Sequence, residues 1–223
     1  MIKFLLRLSI LLMFLASCSN GIKKDIPTSS PVKTVAPIEA VQSEPVSIKT
    51  PIGDGGIITG YPCVAPCFIG IYPGKTQFDE AISILAKTDV GDCKKNETDF
   101  IISCDDDLFL GADFQTRIVN SIEYYPLVDI TVGQVILGYG TPNDVIVIPL
   151  GVPETPFASI ILLFDNYNMR VDLPNQDGVE YPVEESTEIE FVVYYDDNKY
   201  AELKGNYFSQ IWDGYKVYTP LYK

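Results

Sequence analysis

Aromatic side chains divide this chain in two, and the division limits how much of it can fold. All 14 tyrosines and the single tryptophan, Trp212, lie at or beyond Tyr61, as does every phenylalanine except Phe4 and Phe14. A hydrophobic core needs large apolar side chains, so it must be built from about 160 residues, the size of one ordinary domain. The stretch before it, Ser19 to Ile58, has no aromatic residue and is interrupted by Pro27, Pro31, Pro37, Pro45 and Pro51. Its four lysines (Lys23, Lys24, Lys33, Lys49) balance four acids (Asp25, Glu39, Glu44, Asp54). Such a segment buries too little apolar surface to offset its conformational entropy, and its prolines favour extended backbone. The sequence therefore predicts a stalk over 18–58 and a single domain over 59–223. Extended at ~3 Å per residue, the stalk would reach on the order of 100 Å.

Lys3 and Arg7 give the chain a positive start, and Leu5 to Leu15 form a short apolar run. That run is too short for a comfortable membrane span and has the flanks of a signal peptide, here 1–17. Leu15-Ala16-Ser17-Cys18 resembles the lipobox of exported bacterial lipoproteins. The resemblance implies a lipid on Cys18 and attachment to the extracytoplasmic face of the cell membrane or outer membrane. Each buried methylene is worth about 0.8 kcal/mol, and two acyl chains suffice for stable anchoring. The later apolar stretches, Val145 to Val152 and Ala158 to Phe164, are long enough only for buried strands.

Charge narrows the partners. After Ile58 there are 26 acids against 10 bases, a net charge of −16. Nucleic acid is excluded, because phosphate binding needs clusters of Lys and Arg. Adhesion to anionic headgroups is disfavoured for the same reason. The surplus acids serve solubility, with a face for a cation or a basic partner as the alternative.

The domain holds Cys63, Cys67, Cys93 and Cys104. An even count in an exported chain points to two disulfides. The other possibilities are a redox pair or a four-thiolate zinc site. Three residues separate Cys63 from Cys67, one too many for a thioredoxin-type motif, and Cys93 and Cys104 are far apart for a zinc knuckle.

Two helices stand out. Over Thr76 to Ala86, with Thr76 as N-cap, residues Phe78, Ala81, Ile82, Leu85 and Ala86 share one face. From Thr131, a Thr131/Gln134 capping box opens a shorter helix whose Val132, Val135, Ile136 and Tyr139 share a face and which Gly138, Gly140 and Pro142 end. Strand patterns follow each helix: Asp99 to Cys104, a segment near Phe109 and Ile118 to Tyr125; then Val145 to Leu150, Phe157 to Phe164 and Asn168 to Leu173. Asp165-Asn166 marks a hairpin turn. Glu188 to Tyr195 alternates, placing Ile189, Phe191, Val193 and Tyr195 on one side. The order predicts an α+β fold, an antiparallel sheet with helices packed on one face, built of two degenerate helix-plus-meander repeats.

Cys63-Val64-Ala65-Pro66-Cys67-Phe68-Ile69-Gly70-Ile71-Tyr72-Pro73-Gly74-Lys75-Thr76 resembles the C-x-x-P-C-[FW]-x-G-I-x-P-G-x-T opening of a group of bacterial lipoproteins. Thr131-x-x-x-Val135 followed by Gly140-Thr141-Pro142 is similar to a helix end in the small lipoprotein family that includes the outer-membrane assembly factor BamE (SmpA/OmlA). That fold is in turn similar to each half of β-lactamase inhibitory protein. The resemblance covers about two-thirds of the domain, carries no catalytic residue across and implies a scaffold or protein-contact role. It also implies that the C-x-x-P-C unit closes locally, pairing Cys63 with Cys67 and leaving Cys93 for Cys104.

Chemistry has little to draw on. Gly70 to Thr76 ends in GKT before a helix, but it has three residues between its glycines where a P-loop has four, and Pro73 lacks an N–H. Asn175-x-Asp177-Gly178 with Glu184 partly matches a calcium loop, but Leu173 stands where the first carboxylate belongs. That loop and Asp105-Asp106-Asp107 read as solvated turns. With no histidine, His-based triads, bases and zinc sites are excluded. No residue reads as catalytic or metal-binding, and no cofactor is expected. Exposed tyrosine and tryptophan on a sheet make a binding face, which nominates Tyr194, Trp212 and Tyr215. The expected function is an anchored protein-binding or envelope-scaffold module, the alternatives being a carbohydrate- or cation-binding module or a carboxylate-dependent hydrolase.

Overall fold

The computed structural model describes residues 53–221 apart from 106, 153 and 179. The segment expected to be a signal peptide (1–17), Cys18 and the expected stalk up to residue 52 lie outside the described residues. The chain divides into units 1–44 and 45–223, and the second carries the fold.

Three α-helices are described: α1 (Phe78–Leu85), α2 (Val132–Tyr139) and α3 (Asp197–Asn206). The strands are β1 (Cys93–Asn96), β2 (Ile101–Cys104), β3 (Leu108–Ala112), β4 (Val119–Tyr124), β5 (Asp144–Val152), β6 (Thr155–Phe164), β7 (Met169–Asp177), β8 (Tyr181–Val183), β9 (Phe191–Tyr195), β10 (Ser209–Ile211) and β11 (Lys216–Tyr218). Nine of them form one sheet in the order β1-β2-β3-β4-β9-β7-β6-β5-β10, with every neighbouring pair antiparallel, and β8 pairs with β11 in a separate two-stranded sheet. The fold is therefore α+β. A helix followed by a meander occurs twice: α1 with β1 to β4, and α2 with β5, β6, β7 and β9. The last strands of the two units, β4 and β9, pair at the centre, Ile122 opposite Tyr194.

The local chemistry explains the helix starts. Thr131 accepts from the Gln134 N–H while the Gln134 side chain accepts from the Thr131 N–H, so the capping box forms. At α1 the start shifts. Thr76 does not cap it: its hydroxyl accepts from the Tyr72 N–H at 2.9 Å, and its carbonyl accepts from Val119. Gln77 is the N-cap and offers no side-chain bond. Thr76 is held by the start of β4, and the helix begins only after the Gln77–Ile118 bridge.

α1 and α2 lie on the same face. Phe78, Ala81 and Leu85 of α1 and Val132, Val135 and Tyr139 of α2 join Ile102, Leu110, Ile122, Val145, Ile160, Leu162, Val171, Val192 and Tyr194 in the main core. Each such fully buried large side chain contributes about 1.5–3 kcal/mol. α3, a helix the sequence pattern does not predict, lies on the opposite face. Its Tyr200 and Leu203 pack with Ile146, Ile161, Leu163, Val193 and Tyr195. β5, β6 and β9 are thus covered on both faces, which is why Ile160 to Phe164 is apolar without alternation.

The domain also begins earlier than residue 59. Ile57 is buried, Tyr124 Oη donates to the Gly53 carbonyl at 3.0 Å, and Tyr139 Oη donates to the Gly56 carbonyl at 3.2 Å. Gly55 is at φ +64°, and a Cβ there would fall 2.5 Å from the Phe68 ring and 2.6 Å from that of Tyr124. Only glycine fits that approach.

Candidate functional site

The four domain cysteines form two disulfides, Cys63–Cys67 and Cys93–Cys104. The second joins residues directly opposite each other on β1 and β2. These thiols are therefore neither a zinc site nor a free redox pair in this state. Among the described residues no group of three or more Cys, Asp or Glu could hold a metal ion.

The three residues nominated as a binding face separate. Tyr194 is 1% exposed and lies in the main core. It cannot contribute to a surface. Phe191, Val193 and Tyr195 do share one face of β9, as the alternation predicts, while Ile189, which precedes the strand, joins the main core. Because this central strand is apolar on both faces, the other face is buried as well. Val192 and Tyr194 face the main core, while Val193 and Tyr195 face α3. Trp212 and Tyr215 do come together, their rings edge-on at 5.7 Å, but Trp212 is also stacked on Tyr218 at 5.7 Å and packed on the main core. Tyr218 in turn donates to the Gly214 carbonyl. This corner pins the C-terminal segment and leaves Tyr215 exposed.

A different aromatic group lies on the sheet face opposite α1 and α2. α3 covers only the β5, β6 and β9 part of that face, and among the described residues no helix packs over its β2–β4 part. Phe109 of β3, Tyr125 just past β4 and Phe191 of β9 form a half-exposed row across the strands. Phe109 and Tyr125 meet edge-on at 6.3 Å, and Tyr125 and Phe191 at 4.9 Å. The Arg170 guanidinium extends the row, 5.7 Å from the Phe191 ring centre.

The charged groups around this row are fixed. Arg170 Nε and Nη2 each donate to Asp172 at 2.5 Å, a two-pronged bond between residues two apart on β7. Asp172, within the strand predicted over Asn168 to Leu173, is 2% exposed, because α3 shields its neighbours on this face of the sheet. Burial pushes its carboxyl up to about 6, against the hydrogen bonds and charge of Arg170, with Glu123 and Glu190 adding to the rise. Tyr125 Oη donates to Glu123 Oε1 at 3.0 Å. Burial, that bond and the charges of Glu123, Glu190 and Asp172 push the phenol up to about 12. Three carboxylates thus act on one ring, and among the described residues only Asp172 of the three has an ion-pair partner, Arg170.

Beside this face a polar cleft of about 760 Å³ opens between the loop around Thr116 and the first turn of α3. Tyr195 and Asn120 form part of its wall. Its carboxylates already have partners. Asp113 accepts from the N–H groups of Gln115 and Thr116 and from the Thr116 hydroxyl. Asp196 caps α3 by accepting from Lys199 N–H, Asp197 accepts from Asn168, and Glu202 accepts from Lys199.

No family model, curated protein or solved structure matches this chain. The geometry of the open face is therefore the main support for a functional reading. Its signal in the sequence is faint: Phe109, Tyr125 and Phe191 come from three separated segments, and only the β3–β4–β9 pairing makes them neighbours.

Proposed function

We propose that this is a lipid-anchored extracytoplasmic protein whose domain binds a protein partner through the open face of its sheet. The observation that carries the reading is the row Phe109–Tyr125–Phe191–Arg170. It is aromatic and half-exposed, with its ring contacts and the Arg170–Asp172 pair already formed. Rigid aromatic and arginine side chains lose little conformational freedom on binding and dominate the energetics of protein contacts. The cleft carboxylates favour binding over hydrolysis, because each is tied to a turn, a cap or a neighbouring side chain. The lipobox-like Leu15 to Cys18 and the proline-interrupted stalk favour a tethered module that reaches away from its membrane.

The test is affinity purification of the full-length protein from detergent-solubilised envelope, compared with Tyr125→Ala and with Leu137→Ala. Leu137 is 89% exposed on α2, on the opposite side of the sheet. A partner should co-purify with the wild type and with Leu137→Ala, and drop at least tenfold with Tyr125→Ala. Equal recovery with both variants would contradict the reading. The same wild-type sample should show a lipidated Cys18 as its first residue by mass spectrometry.

A further inference from the structure

Resting on that reading, we infer that the partner presents a basic side chain, lysine or arginine, to the open face, where it lies on the Phe109–Tyr125–Phe191 row between Glu123 and Glu190. The charge of the row supports this. Glu123 accepts from the Tyr125 hydroxyl, and Glu190 adjoins Phe191 with its N–H donating to the Asp172 carbonyl. Among the described residues Arg170 is the cation bonded to these carboxylates, through Asp172, while exposed Lys94 lies farther out on β1, opposite Ser103. Among the described residues Glu123 and Glu190 therefore form no ion pair. An aromatic face attracts a cation through its negative quadrupole, and flanking carboxylates add to the attraction. The row shows the same preference internally, since the guanidinium of Arg170 lies over Phe191 at 5.7 Å. An acidic partner would meet like charge, and a wholly apolar one would leave Glu123 and Glu190 desolvated without a counter-charge. The domain around the row is itself strongly acidic, with 26 acids against 10 bases after Ile58, so a basic partner is also steered toward it from a distance.

The experiment places a photo-crosslinking amino acid at Ser103 of the full-length protein in intact envelope. Ser103 is paired with Phe109 across β2 and β3 and leaves the row itself intact. The crosslinked partner peptide is then sequenced, and adduct yield is compared with that of Glu123→Gln/Glu190→Gln and of a distant control, Asp129→Asn/Glu184→Gln. The expected result is an adduct on a segment bearing lysine or arginine, with its yield reduced at least tenfold in the Glu123→Gln/Glu190→Gln protein and unchanged in the control. An adduct on a neutral or acidic segment, or one whose yield ignores Glu123 and Glu190, would overturn the basic-partner inference while leaving a protein-binding face in place. Failure to form any protein adduct at Ser103 would overturn both. Equal loss of yield in both double variants would reduce the effect to general acidity and overturn the inference as well.

Discussion

Asp54 shows how a single residue extends the domain beyond its sequence boundary. In the sequence it is one acid among four in a segment without aromatics. In the fold its carboxylate accepts from the N–H groups of Gly56, Ile58 and Thr59 and from the Thr59 hydroxyl. Burial works against its charge, but these four bonds outweigh it and hold the carboxyl below its ordinary 3.8. A carboxyl depressed by folding contributes stability that is fully present above its unfolded value and is lost as pH falls through the folded one. Asp54→Asn should cost about 1 kcal/mol at pH 7, the scale of exchanging charge-assisted hydrogen bonds for neutral ones. The gap from wild type should close as pH drops below 3.8, as measured by urea unfolding across pH. A gap that is constant down to pH 2 would contradict this. Tyr194 gives the opposite lesson. Its burial is not legible in the alternation of β9, because both faces of that strand are apolar and the pattern alone does not say which face the helices α1 and α2 cover.

At the scale of elements, legibility follows how local the determinants are. α2 is readable because Thr131 and Gln134 satisfy each other's backbone and Val132, Val135 and Tyr139 repeat at helical spacing. The long strands β5 and β6 are readable from their apolar runs. α3 is not: Asp197–Asn206 buries only Tyr200 fully, and its one start signal is the Asp196 cap. β1, with sequence Cys-Lys-Lys-Asn, is a strand because it pairs with β2 and Cys93 is bonded to Cys104, neither of which composition reveals. The N-terminal turn around Ile57 belongs to the same class, since its partners Tyr124 and Tyr139 are more than 60 residues away. A chain starting at Gly60 should therefore lose the burial of Ile57 and leave two tyrosine hydroxyls without their carbonyls. Together these are worth about 4 kcal/mol, or roughly 10 °C in a domain of this size. A chain starting at Pro45 should melt like the full-length protein. Equal melting temperatures for the two truncations would show that the 53–59 turn is an appendage.

For the whole molecule, two helix-plus-meander units joined through β4 and β9 make one wide sheet whose two faces differ in kind. One face is sealed by α1 and α2. The other is sealed only where α3 lies, and beside it the half-exposed aromatics gather with Glu123 and Glu190, which form no ion pair among the described residues. The central claim is that this open face is covered in the envelope. Hydroxyl-radical footprinting of the full-length protein measures that most directly, by comparing Phe109, Tyr125 and Phe191 in intact envelope with the same residues in the purified protein. These three should be labelled several-fold less in the envelope, while Leu137 on α2 and Phe114 in the loop after β3 should be labelled equally in both. Equal labelling of Phe109, Tyr125 and Phe191 in the two samples, or protection confined to Leu137, would contradict it.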